Sequence, residues 1–175
     1  GSSDRARYIP WAIADRSLVD ASCVVDCVQR LFELPSFEFE AKGVLAFAGE
    51  PALARRFGFD HESMRTLNQW LQDTGIRRTL AGEHERLFQI DEPTGHSFDF
   101  GLRRLLLGRA MPAGANAIGH TLPWTEVDGQ QARLLSELIR LVDLIAETQR
   151  SLRAHRSVSQ WVEVLNGIVE NFLLQ

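Results

Sequence analysis

Arg133–Leu152 reads RLLSELIRLVDLIAETQRSL, and its apolar residues keep one spacing. Leu134, Leu135, Leu138, Leu141, Val142, Ile145 and Leu152 form one stripe at the period that lines a single face of an α-helix. With Asp128 ahead of it as a cap, this is the longest helix the sequence predicts. Behind it, Ser157-Val158-Ser159-Gln160 has the form of a capping box. A further helix then carries Trp161, Val164, Leu165, Ile168, Val169 and Phe172. Ahead of it, Met111–Trp124 holds Pro112, Gly114, Gly119 and Pro123 and reads as a loop, preceded by a compact helix over Phe98–Arg109.

The earlier half follows the same logic. Leu18, Ala21, Val24, Val25, Val28, Leu31 and Phe32 recur at helical spacing, and Pro35 closes the run. Phe37-Glu38-Phe39-Glu40 alternates and predicts a short strand, and Val44–Ala48 predicts a helix. Glu50-Pro51 opens a short helix that ends near Gly58, because proline suits a first-turn position. Asp60 caps a helix carrying Met64, Leu67, Trp70 and Leu71, and Gly75 stops it. Ile76–Ser97 is a polar loop with one short strand over Leu87–Ile90. Tyr8–Ala14 is extended, since Ile9 precedes Pro10. The fold class expected is therefore mainly α, a multi-helix domain with an orphan extended segment at its N-terminus and room for one short hairpin. Residues 1–16 form the extended tail and residues 17–175 the helical body. Both ends lack punctuation and look cut from something larger.

Composition removes several functions. The 175 residues are 45% hydrophobic, enough for a sizeable core, and the net charge of −4 gives no global attraction to nucleic acid or anionic membrane. No run of eighteen apolar residues occurs and no signal peptide is visible, so the expectation is a cytoplasmic protein without a membrane partner. Cys23 and Cys27 stand one helical turn apart and read as small, partly buried apolar residues. Lys42 is the only lysine against 18 arginines, and Gly43-Val44 follows it, so the chain lacks the Gly-Lys-Ser/Thr loop of an ATP motor. Glu38, Glu40 and Lys42 echo half of a metal-dependent nuclease site, but two-metal chemistry needs further acids. Neither His61, His84, His96, His120 nor His155 has a partner at ligand spacing. No serine sits in a nucleophile elbow, and Glu83 and Glu85 read as solvated acids in a polar loop. No metal, cofactor or catalytic residue is expected.

The arginine pairs are harder to dismiss. Arg55-Arg56, Arg77-Arg78 and Arg103-Arg104, with Arg109 beyond, lie in a stretch from Pro51 to Ala110 that holds nine arginines and eight acids. Consecutive helical residues point about 100° apart, so no pair forms one tight clamp. Surface salt bridges are the plainer reading. The DNA-contact candidates are Arg77, Arg78, Arg103, Arg104 and Arg109. Of the tryptophans, Trp70 and Trp161 lie on apolar stripes and belong to the core. Trp124, after Pro123, is the expected exposed one and the candidate for a protein partner.

Five segments in order resemble the RecC family, the gamma subunit of bacterial exodeoxyribonuclease V. They are YIPWAIADRS from Tyr8, VLAFAGEPALARRFGFD from Val44, LNQWLQDTGIRR from Leu67, TGHSFDFGLRRLLLGRAM from Thr94 and LPWTEVDGQQARLLSELI from Leu122. Ala14 stands where the family often has serine. The resemblance runs from about Tyr8 to Phe172. It implies the helical accessory insertion within the second, inactivated superfamily 1 helicase-like half, with Tyr8–Ala14 as the tail of a parent strand. It also implies a non-catalytic role beside RecB-like and RecD-like subunits, shaping a channel for single-stranded or forked DNA in double-strand break repair and recombination. The family's Chi-reading residues fall outside this stretch. Arg104 and Gly108 match positions shared with related active helicases. For Arg104 a salt bridge tying its helix to the preceding loop is favoured over a DNA phosphate contact, because the glycine spacing suggests close packing.

Overall fold

The computed structural model describes residues 18–80, 94–111, 116–118, 121–124, 129 and 131–173, with the side chains of 18–24 and 94 left out. Tyr8–Ala14, Leu87–Ile90 and Asp128 lie outside the described residues; the N-cap position of the long helix is Gln131, without a side-chain cap bond, and not Asp128 as expected. Seven α-helices account for most of the described chain: α1 (Leu18–Glu33), α2 (Ala41–Ala48), α3 (Pro51–Phe57), α4 (His61–Asp73), α5 (Phe98–Ala110), α6 (Ala132–Arg153) and α7 (Val158–Leu173). No strand occurs among the described residues, only an isolated bridge between Ile118 and Thr121. None of these helices is long and apolar enough to cross a membrane.

Local chemistry sets the helix ends. Asp60 accepts from the Ser63 N–H at 2.8 Å, and Ser97 from the Phe100 N–H at 3.2 Å, so each supplies a partner to a first-turn amide. At α7 the capping box is reciprocal: Gln160 N–H reaches Ser157 Oγ at 3.4 Å, and Ser157 N–H reaches Gln160 Oε1 at 3.0 Å. Gly58 ends α3 at φ 70°, a left-handed conformation that costs glycine little. Phe59 follows it, buried and stacked on Phe57 with ring centroids 5.7 Å apart.

The core gathers around α6. Leu135, Leu138, Leu141, Val142 and Ile145 are buried along its inner face. Removing each from water contributes roughly 1.5–3 kcal/mol. Trp70, Phe39, Phe98 and Phe172 fill the space between helices, with Phe47 edge-on to Phe172 at 5.8 Å. Among the buried polar side chains, Gln149 joins two parts of the chain. Gln149, 2% exposed, donates to the carbonyls of Leu34 at 2.8 Å and Phe37 at 2.7 Å, and Arg153 Nε donates to Pro35 O at 3.0 Å. The C-terminal half of α6 thus satisfies the carbonyls of the 3₁₀ turn Leu34–Ser36, where Pro35 breaks α1.

Three features depart from what the sequence predicts. Phe37–Glu40 is not a strand: its neighbour is the irregular segment 76–79, and Phe39 has φ 52°. The alternation instead buries Phe39 while Glu38 and Glu40 stay exposed. Trp161 is half-buried rather than core, lying under the Arg156 guanidinium at 5.7 Å. Val25 and Phe32 of the α1 stripe are 56% and 57% exposed, because the stripe is wider than the face α1 buries through Cys27 and Leu31.

Candidate nucleic-acid and partner surfaces

Helix α5 owes its position to a glycine. Phe98, Gly101, Leu102, Leu105 and Gly108 form its buried face. A Cβ on Gly101 would lie 2.1 Å from Ile76 Cγ1, so only glycine allows this approach to the segment after α4. Arg104, on the flank, locks the approach. Its Nε donates to Leu122 O and its Nη1 to Thr74 O, each at 3.0 Å, while its own carbonyl accepts the Trp124 N–H at 3.0 Å. One residue therefore ties together the end of α4, helix α5 and the segment 121–124. A tie is found, but its acceptors are carbonyls rather than a carboxylate, and it reaches the following segment as well as the preceding one.

The other arginines of α5 point elsewhere. Arg103 pairs with Asp99 at 2.9 Å, with both side chains more than half exposed, a geometry worth little to stability. Arg109 is exposed in the last turn, where a cation suits the helix dipole. Arg103 and Arg104 do not converge on one point.

Arg77 and Arg78 do find company. The segment carrying them is held by main-chain bonds: Ala41 N–H to Arg77 O at 2.8 Å, Arg77 N–H to His96 O at 3.0 Å and Thr79 N–H to Glu38 O at 3.4 Å. Their side chains line a cleft of about 380 Å³ between α2 and α4, joined by Lys42 and Glu40 from the start of α2. Asn68 and Gln72 of α4 complete its polar wall, and Ala41, Leu45, Leu71 and Ile76 make an apolar floor. Glu40 occupies the N-cap position of α2 without a side-chain cap bond. Sequence reasoning missed this association because Lys42 lies 35 positions before Arg77, and only the 76–79 strap brings them together. Among the described residues no group of three or more His, Cys, Asp or Glu side chains could hold a metal ion.

Trp124 is half-buried, not exposed, and packs against the core. Its N–H bonds to the Arg104 carbonyl, and Trp124 lines, with Trp70, Arg65 and Gln69, an open cleft of about 390 Å³. His61 and His155 are exposed, and His96 Nδ1 lies 2.9 Å from Gly75 O; His84 and His120 fall outside the described residues.

Among the described residues, most of the exposed large hydrophobic side chains lie on α1 and α7. Val25, Val28 and Phe32 share one face of α1, and Val158, Val162, Leu165 and Val169 share one face of α7. Between them lies an almost purely apolar groove lined by Val28, Phe32, Leu165 and Val169. Val158 is 82% exposed, Phe32 57% and Val162 54%. The sequence assigned Val25, Phe32 and Val169 to core stripes. The signal that separates them is width: on α7 the row Val158–Val162–Leu165–Val169 is offset from the buried pair Ile168 and Phe172.

A family model described as the RecBCD enzyme subunit RecC fourth domain matches residues 21–175. The RecBCD enzyme subunit RecC of Escherichia coli (strain K12) is 32% identical over 174 residues, covering 99% of this chain and 16% of that protein. The subunit of the same description from Mycolicibacterium smegmatis is 26% identical over 174 residues, and that from Buchnera aphidicola 22% over 171. Each match takes in at least 98% of this chain, which spans 16% of the length of these relatives.

Proposed function

The chain belongs to the RecC family, and from that premise we propose that it is a non-catalytic architectural domain of a RecC-like subunit. In this reading residues 17–175 are its body and 1–16 a tail from a neighbouring helicase-like domain. It shapes the DNA channel of a cytoplasmic exodeoxyribonuclease V, in double-strand break repair and recombination, and packs against a RecB-like motor in an assembly with a RecD-like subunit. The observation that carries the reading is the apolar band on α1 and α7. Exposed valines and a phenylalanine beside an apolar groove are costly in water and mark a surface that packs against something.

Hydroxyl-radical footprinting tests this, because it reads side-chain exposure directly. Phe32, Val162 and Val169 are expected to be oxidised readily in this chain and protected several-fold in the assembled complex. Equal oxidation in both would refute the contact. The second reading, direct DNA binding through arginine-rich helices, draws no support from α5, where Arg103 is paired and Arg104 is tied to carbonyls. Its support lies at Arg77 and Arg78, beside Lys42.

A further inference from the structure

We propose that the cleft between α2 and α4 holds one unpaired nucleotide of a DNA strand, with Lys42 and Arg77 on its phosphate and the base laid on the aliphatic floor. Three cations from two separate parts of the chain line this cleft against a single carboxylate, Glu40. Lys42 is the only lysine in the sequence, and it stands in the first turn of a helix that has no acid there. A cation at that end opposes the helix dipole, so local folding gives no reason for it. Residues that break a local rule concentrate at functional sites.

The floor narrows the ligand class. An inorganic anion needs only charge and donors, whereas Leu45, with the nearly buried Leu71 and Ile76 beside it, gives the cleft an apolar side next to the charge. A nucleotide has both halves: a phosphate for the cations and a planar base whose face tolerates apolar contact. The volume of about 380 Å³ lies within the roughly 300–1,000 Å³ typical of small-ligand sites. Gln72 Nε2 donates to Asn68 Oδ1 at 3.2 Å, which fixes two amides against each other on the wall where a base edge would lie. The main-chain bonds of Arg77 hold its backbone on a fixed strap beside the cleft. That the strand is DNA rests on the RecC-family reading; the cleft chemistry does not.

Fluorescence anisotropy of this chain with a short labelled oligothymidylate, at low and near-physiological salt, is the test. The pair Lys42→Gln with Arg77→Gln changes only side chains and leaves the strap's main-chain bonds in place. It is expected to weaken binding about tenfold at low salt and to flatten the salt slope by about 0.7, the share of one single-strand phosphate. Arg133→Gln, an exposed charge on α6 outside the cleft, should change affinity less than about twofold. An abasic strand of equal length should bind several-fold more weakly than oligothymidylate. The proposal is overturned if wild type does not bind at low salt, or if the double variant, with an unchanged circular dichroism spectrum, binds no worse than Arg133→Gln. Equal binding of the abasic strand would remove the base from the cleft. Displacement by polyglutamate at matched charge would make it an acidic-peptide site instead. Retained assembly of the double variant with a RecB-like subunit would confine any such failure to the cleft and leave the architectural reading standing.

Discussion

Gly101→Ala should destabilise this domain, and Ile76→Ala should reverse the sign of its effect. The new Cβ would sit 2.1 Å from Ile76 Cγ1 and 2.3 Å from Cδ1, where carbon contacts normally lie at about 3.5–4.0 Å. Ile76 must therefore retreat by more than an ångström. It is buried, and the Arg77 backbone beside it bonds to both Ala41 and His96, so it has little room to do so. Overpacking of this kind costs about 1–3 kcal/mol. Alanine in a helix interior returns about 0.8–1.0 kcal/mol of propensity, leaving a net loss of about 1 kcal/mol. Ile76→Ala alone should cost about 2–5 kcal/mol as a large-to-small change, but it removes both atoms nearer than 3 Å and leaves Thr74 Oγ1 at 3.2 Å. In that background Gly101→Ala should stabilise by up to about 1 kcal/mol, giving a coupling near 2 kcal/mol. Urea unfolding of the four proteins, followed by circular dichroism, measures the cycle. The same loss in both backgrounds, or a gain in the wild type, would refute the packing argument.

Gln149→Leu keeps the volume but takes the donor from the Phe37 carbonyl, while the Leu34 carbonyl keeps the Phe37 N–H at 3.0 Å; it should lower stability by about 1–3 kcal/mol in denaturant unfolding. Arg104→Lys cannot reach Leu122 O and Thr74 O together, so it should cost about 1–2 kcal/mol and speed amide exchange at Trp124. The Ser63 N–H bond lowers the Asp60 carboxyl below its ordinary value. A lowered folded-state value means a contribution present at neutral pH and lost as pH falls through the acid range. The first turn of α4 should therefore loosen on acidification, and Asp60→Asn, which keeps a cap oxygen, should remove that pH dependence in amide exchange at Ser63.

The helices were legible because periodicity and caps agreed. The stripe from Leu134 to Leu152, the Asp60 cap and the Ser157–Gln160 box each carry local information, and each sits where its spacing indicates. What misled was any feature whose partner lies far off in sequence. Phe37–Glu40 alternates like a strand, yet it makes no ladder: Glu38 O accepts from Thr79 of an irregular strap some forty residues later, and Phe37 O from Gln149. Val25 and Phe32 continue the α1 stripe, but only the positions of α3 and α7 decide which part of it is covered. The candidate arginines divide for the same reason. Spacing shows that neighbours on a helix diverge; it cannot show that Arg104 meets two carbonyls from opposite sides, or that Arg77 meets Lys42.

The architectural claim is tested most directly by assembling a RecC-like subunit that carries Phe32→Glu and Val162→Glu with its RecB-like partner, and measuring complex formation by size-exclusion chromatography with light scattering. Both positions are more than half exposed in this domain, so the changes should leave its helices intact. The account predicts at least a tenfold loss of assembly, since two carboxylates would have to be buried at about 1.4 kcal/mol or more in total. Wild-type assembly by the doubly charged subunit would contradict it.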